Sequence, residues 1–136
     1  MVGLQGWVDR FQESRVEPQG TGRELVDIVT YLEGELFERW VDREVTTKFG
    51  GGRLRTLKQH PALRKLWALL FHPEVRLFVA ERAMDLMRRD EHAPAILVYV
   101  VLLNEAISIT EENFLLDVYR EAQIYATLWL KNRNVL

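Results

Sequence analysis

Hydrophobic positions recur at helical spacing along most of the chain and predict a series of amphipathic helices. Apolar side chains three or four positions apart share one face, because an α-helix completes a turn in about 3.6 residues. Proline and glycine interrupt the pattern where helices begin or end. The pattern predicts helices over residues 3–15, 22–48, 61–71, 73–89 and 94–108, and a last helix after Thr110.

The second predicted helix, residues 22–48, is apolar on more than one side. The stripe expected to face the core consists of Leu25, Ile28, Val29, Leu32, Leu36 and Trp40. Val26 falls outside that stripe, and so do three apolar residues of the C-terminal half, Phe37, Val41 and Val45. Such a helix either lies at the centre of a bundle or offers one side to a partner. These three residues are therefore candidate interface positions.

Glycine and proline mark the next boundaries. Gly50 to Gly52 predict the end of that helix and a flexible joint, because glycine adopts the left-handed backbone of a helix end without steric cost. His60-Pro61 and His72-Pro73 predict two helix starts, since proline fits the first helical turn. We expect these histidines to cap the helices or to face solvent.

The segment Ala95 to Leu103 is apolar on all sides, and we predict that it is a buried helix. Its β-branched residues would also suit a strand, but the chain offers no second strand to pair with it. A membrane-spanning helix needs about 20 apolar residues. We therefore expect this shorter segment to lie in the core of the protein.

The last helix is predicted to begin at Thr110, whose hydroxyl would cap it. We expect its broad apolar stripe to face the core: Phe114, Leu115, Val118, Ala122, Tyr125, Leu128 and Trp129.

The fold class that follows is all-α: a single-domain bundle, residues 1–136, of five to six helices with short connections. A length of 136 residues suits one domain. The chain has no cysteine, which excludes disulfides and thiolate chemistry and is compatible with a reducing cytosol. Met1–Arg10 lacks the pattern of a signal peptide. We expect a cytoplasmic protein that does not contact a membrane.

Charge is distributed unevenly along the chain, although the net charge is only −2. Residues 1–44 carry a net charge of −5 and residues 77–136 a net charge of −3, whereas residues 45–76 carry +6. The cations of this basic segment are Lys48, Arg53, Arg55, Lys58, Arg64, Lys65 and Arg76. Such a density of positive charge can neutralise phosphates or an acidic protein surface.

No catalytic or metal-binding constellation is visible, and we expect neither enzymatic activity nor a cofactor. Ser14 and Ser108 lie outside any Gly-x-Ser-x-Gly turn, and the chain has no His-Glu-x-x-His pair. The glycine run lacks the spacing of a phosphate-binding loop. The carboxylate pairs have basic neighbours, as is typical of solvated helix faces.

The sequence therefore predicts a non-catalytic interaction or assembly protein, a small subunit of a larger or self-associated complex. Its acidic N-terminal region and its basic segment, residues 45–76, would serve for docking to a protein partner or to another copy. The alternative is a protein that binds the phosphates of DNA or RNA through the same basic segment. A third hypothesis is a small-molecule pocket lined by Trp40, Trp67, Tyr99 and Trp129.

Overall fold

The computed structural model describes residues 19–49 and 51–136, and all regular structure in these ranges is helical. The α-helices are α1 (Gln19–Leu32), α2 (Glu35–Trp40), α3 (Gly51–Lys58), α4 (Pro61–Leu69), α5 (Pro73–Arg89), α6 (Ala93–Ile109) and α7 (Asn113–Asn132). A π-helical turn, Val41–Val45, continues α2.

The all-α class is confirmed, but the helix count is higher than predicted. The described ranges contain seven α-helices rather than five to six. Residues 22–48, predicted as one helix, form α1, α2 and the π turn, while residues 51–58, over which no helix is predicted, form α3. Gly51 and Gly52 are its first two residues. The helix predicted over residues 3–15 lies outside the described residues.

Gly34 separates α1 from α2. A Cβ atom at this position would lie 3.2 Å from the carbonyl oxygen of Thr30 and 3.3 Å from that of Tyr31. Most side chains would be crowded at these distances, so glycine suits this turn. Because the residues between the two helices are not helical, the apolar stripe resumes one position later than the periodicity predicts. Phe37 is therefore buried, whereas Leu36 is 68% exposed.

This shift corrects the predicted interface. Phe37, Val41 and Val45 are at most 1% exposed and lie in the core of the chain itself. Val41 and Val45 are four positions apart, close to one turn of helix, so both lie on the same side of the π turn. Its hydrogen bond joins the Thr46 N–H to the Val41 carbonyl at 3.0 Å. In this fold the three apolar side chains are not accessible to a partner.

Helix α6 is the centre of the molecule, as its uniformly apolar sequence predicts. Ten of its residues are buried. Helices α5, α6 and α7 pack against one another, and α2 also contacts α6. At the other end of the fold, α1 packs on α4, and α3 packs on the π turn and on α4. The chain thus has a C-terminal group of three long helices and an N-terminal group of shorter ones.

A buried ionic network fastens the α1–α2 corner to the long helices. Arg82 donates two hydrogen bonds to the Glu33 carboxylate, at 2.9 and 2.6 Å, and one to Asp85 at 3.3 Å. The Tyr99 hydroxyl donates to Glu33 at 2.9 Å. The hydrogen bond with Glu33 raises the pKa of Arg82, and burial raises the pKa of Tyr99 well above its usual value. The carboxylate therefore binds α1 to both α5 and α6.

Thr110 does not cap the last helix, which begins three residues later at Asn113. Its hydroxyl instead donates to the Ala106 carbonyl at 2.6 Å and is buried. Thr110 therefore belongs to the end of α6, and the prediction of its role was wrong.

Candidate docking surfaces

The seven cations of the basic segment divide into two groups in the structure. Arg76 is only 9% exposed, and its guanidinium donates to the carbonyls of Leu70 and Phe71 and to the Thr110 hydroxyl, at 2.7, 3.2 and 3.2 Å. It thus satisfies carbonyl groups at the end of α4 and binds them to the end of α6. Arg76 is a structural residue, and its assignment as a binding residue is corrected.

Arg53 is also bound within the chain. Its side chain donates to the Lys48 carbonyl at 2.8 Å and to the Val135 carbonyl at 3.2 Å. These contacts hold α3 between the end of the π turn and the end of the chain. The Arg53 guanidinium is half-buried, so much of it is directed away from solvent.

The other five cations form what we call the basic surface. It extends from Lys48, which precedes α3, along α3 and α4. Its members are Lys48, Arg55, Lys58, Arg64 and Lys65. All five are exposed, and none makes an ion pair with an acid in residues 19–49 or 51–136. Their charge is therefore not neutralised by the described part of the chain.

A groove lies within the basic surface. It has a volume of about 340 Å³ and is lined by Lys58, Leu63, Arg64 and Trp67. Leu63 is buried and Trp67 half-buried, whereas the two cations are exposed. The groove therefore combines apolar walls with positive charge at its opening.

Two exposed aromatic residues lie close in sequence to the cations of the basic surface. Phe49, next to Lys48, is 86% exposed, and Phe71, just after α4, is 80% exposed. Helix α4 ends at Leu69, and the Phe71 ring lies outside it, against His72.

The acidic N-terminal region is partly neutralised within the chain. Glu33 is half-buried and pairs with Arg82, and Glu35 pairs with Arg39 one turn along α2. Helix α1 retains Glu24 and Asp27 as exposed acids. The described part of this region thus offers less free negative charge than its sequence indicates.

The outer face of α7, defined as Phe114, Val118, Ile124, Tyr125 and Leu128, is apolar and exposed. Its exposed fractions range from 39% for Val118 to 70% for Phe114. The residues of α7 that face the core are instead Tyr119, Ala122, Ala126 and Leu130. Most of the stripe predicted for the core therefore points to solvent.

A signal for this face is present in the sequence. At about 100° per residue, the apolar positions of α7 cover well over half of the helix circumference. A surface helix needs an apolar stripe of only about 100° to reach the core. The excess apolar width therefore indicates a second contact surface.

The four aromatic residues of the predicted small-molecule pocket lie at separate places. Tyr99 is fully buried beside Glu33, whereas Trp67 lines the groove. Trp40 packs against Phe37. The guanidinium of Arg133 lies 3.7 Å from the centre of the Trp129 ring. These side chains do not enclose a common pocket.

His60 confirms the prediction of a capping histidine. Its Nδ1 accepts the Ala62 N–H at 3.0 Å at the start of α4. The ring also contacts Tyr31, Phe37 and Trp40, with centroids 5.5, 5.3 and 4.5 Å away. Because Nδ1 accepts, the proton of the neutral ring lies on Nε2, which donates to the Tyr31 hydroxyl oxygen at 3.1 Å. Burial lowers the pKa of His60.

Within residues 19–49 and 51–136, no three potential metal ligands cluster together. In the same ranges, no helix has the length and hydrophobicity needed to cross a membrane.

In comparisons with known proteins, the chain matches no protein-family model, no curated protein and no solved structure.

Proposed function

We propose that this chain is a non-catalytic interaction protein, a small subunit of a larger or self-associated complex. The observation that carries the proposal is the outer face of α7. Four of its large side chains, Phe114, Ile124, Tyr125 and Leu128, are each at least 50% exposed. Large apolar side chains that share one exposed helix face are costly in water and typically mark a site that a partner covers.

The basic surface supports the same proposal from a second direction. Five exposed cations have no acidic partner in the described part of the chain. Complementary charge guides proteins to a defined orientation and raises the rate at which they associate. A chain with an apolar helix face and a free basic surface therefore has two features of a docking subunit.

The test is the association state of the purified protein, measured by sedimentation and light scattering over a wide concentration range. We expect concentration-dependent association, and we expect Tyr125→Ser with Leu128→Ser to abolish it. The control is Leu36→Ser, because Leu36 is also a large exposed apolar residue but lies on α2. A wild-type protein that stays monomeric and recovers no partner sensitive to the α7 substitutions would contradict the proposal.

A second candidate function is binding to the phosphate backbone of nucleic acid through the basic surface. The exposed rings of Phe49 and Phe71 favour it, because bases can stack on such rings. Titration with single- and double-stranded DNA and RNA at several salt concentrations tests it. For duplex DNA, Arg55→Ala with Lys58→Ala should lower the slope of log K against log salt by about 2. Absence of binding at low salt ends this candidate.

A further inference from the structure

We propose that the partner is a second copy of this chain, and that the outer face of α7 of one copy docks into the groove of the next. This inference rests on the proposed function, and it adds the identity of the two surfaces that meet. Both surfaces belong to described helices, and both are exposed to solvent.

The outer face of α7 carries negative charge among its apolar side chains. Asp117 and Glu121 lie between Phe114 and Leu128 on the same third of the helix, at about 100° per residue. Both acids are exposed, and neither pairs with a cation of the described chain. Whatever covers this face must therefore supply apolar contacts and positive charge together.

The groove supplies that combination. Trp67, which is half-buried, gives it accessible apolar surface over the buried Leu63, and the exposed Lys58 and Arg64 add positive charge. Its volume of about 340 Å³ is at the lower end of the range of binding pockets, about 300 to 1,000 Å³, which suits one or two large side chains. An amphipathic helix that lays its apolar face into a hydrophobic groove is a common mode of recognition.

A symmetric pair of α7 helices fits the charges less well. In an antiparallel pair centred near Glu121, each copy would bring Asp117 and Glu121 close to the same acids of the other copy. Like charges that meet across an interface are unfavourable. Contact between α7 and the groove instead joins opposite charges.

The two surfaces lie on different parts of the fold. Helix α7 packs on α5 and α6, whereas the groove is formed by residues of α3 and α4. Each copy therefore has a free groove and a free α7 face after its first contact. Contact between these surfaces closes into a reciprocal pair or a ring, or continues as a filament, according to the rotation that relates neighbouring copies.

Charge reversal on each surface tests the inference. The face variant is Asp117→Lys with Glu121→Lys, and the groove variant is Lys58→Glu with Arg64→Glu. We expect each variant alone to lose association by about 100-fold or more, because like charges then meet at the interface. An equimolar mixture should associate again, since each variant then finds a complementary surface on the other.

Two control variants change the net charge by the same amounts as the face variant and the groove variant, but on other surfaces. Glu24→Lys with Asp27→Lys alters exposed acids of α1, and Arg23→Glu with Arg88→Glu alters exposed cations of α1 and α5. Both controls should associate like the wild type. Circular dichroism checks that every variant is folded, and all altered side chains are exposed.

The outcomes separate this inference from the proposed function. If the wild type associates but the groove variant does too, the copies meet through another surface, and only the inference fails. The inference also fails if the mixture does not recover, or if nuclease treatment dissolves the assembly. If the wild type is monomeric, the inference fails, while the proposed function stands only if the α7 face binds a different partner.

Discussion

The structural contribution of single side chains is clearest at His60. Its neutral ring accepts the Ala62 N–H and contacts three aromatic residues. Protonation would place a hydrogen on Nδ1, opposite the Ala62 N–H, and remove this cap. The lowered pKa of His60 is consistent with a folded state that favours the neutral ring.

The pH dependence of stability follows from this preference. The pKa of His60 in the folded state lies below its ordinary value of 6.5, so the unfolded chain binds the proton more readily. The stabilisation is therefore complete above pH 6.5 and is lost as the pH falls from there to the folded-state value. Urea unfolding should show that the stability difference between the wild type and His60→Asn shifts in favour of the variant below pH 6.5. A constant difference across this range would refute it.

The buried carboxylate of Glu33 should matter far more than a neighbouring exposed one. Glu33→Gln removes the negative charge that accepts two of the three ionic hydrogen bonds of Arg82, and we expect a loss of about 3 kcal/mol in the free energy of unfolding. Glu35→Gln removes only an exposed pair with Arg39 and should cost less than about 1 kcal/mol. Chemical denaturation of both variants measures the two values, and equal losses would contradict the proposed role of the network.

At the scale of helices, the ends of the helices are stabilised by contacts between residues that are distant in sequence. Arg76 satisfies carbonyls at the end of α4 and also reaches Thr110 at the end of α6. Lysine cannot reproduce this contact, because it lacks the planar fork of guanidinium donors. A conservative substitution here therefore disturbs two helix ends at once.

We predict that Arg76→Lys lowers the free energy of unfolding by about 2 to 3 kcal/mol, since hydrogen bonds to charged groups contribute about 1.5 to 3. Arg64→Lys is the control, because Arg64 lies in the same basic segment but is exposed. Its effect should stay within about 0.5 kcal/mol. Thermal and urea unfolding compare the two, and a small loss at Arg76 would show that its contacts are dispensable.

Sequence periodicity predicts helices well where the signal is local. Pro73 and the pattern after it predict residues 73–89, which are the observed bounds of α5. The break at Gly34 is not predictable in the same way, because a single glycine costs a helix only about 1 kcal/mol. What fixes that corner is Glu33 bound to Arg82, 49 residues away.

The candidate site was predicted in part for the same reason. Five of the seven cations are exposed as their sequence indicates. Arg76 is not, because its acceptors become neighbours only through tertiary packing. The outer face of α7 was assigned to the core, since periodicity alone does not show how much of an apolar stripe the rest of the fold can cover.

For the whole molecule, the separation of charge matters more than the net charge of −2. Free cations concentrate on α3 and α4, while Asp117 and Glu121 lie on α7. Two copies in solution would therefore attract each other in one orientation and repel in others. Apolar contacts would then retain the pair, because they do not depend on salt as charges do.

This division predicts how association responds to salt. Raising sodium chloride from about 0.05 to 0.5 M should slow association markedly, since screening shortens the reach of the charges. The dissociation rate should change much less, because exposed charges at an interface influence mainly the rate of encounter. Surface plasmon resonance with immobilised protein gives both rates. A dissociation rate that rises as steeply as the association rate falls would show that charge, rather than apolar contact, retains the pair.

The extra residue in the π turn at Val41–Val45 affects the direction in which the chain enters α3. Such a turn holds one residue more than an α-helical turn of the same course. Deleting Arg43, whose side chain is exposed, would allow an ordinary helix to form there. The chain entering α3 would then be rotated by about 100° and displaced by about 1.5 Å. A one-codon deletion would thus change the direction of α3, and of the cations it carries, without altering any charge after that point.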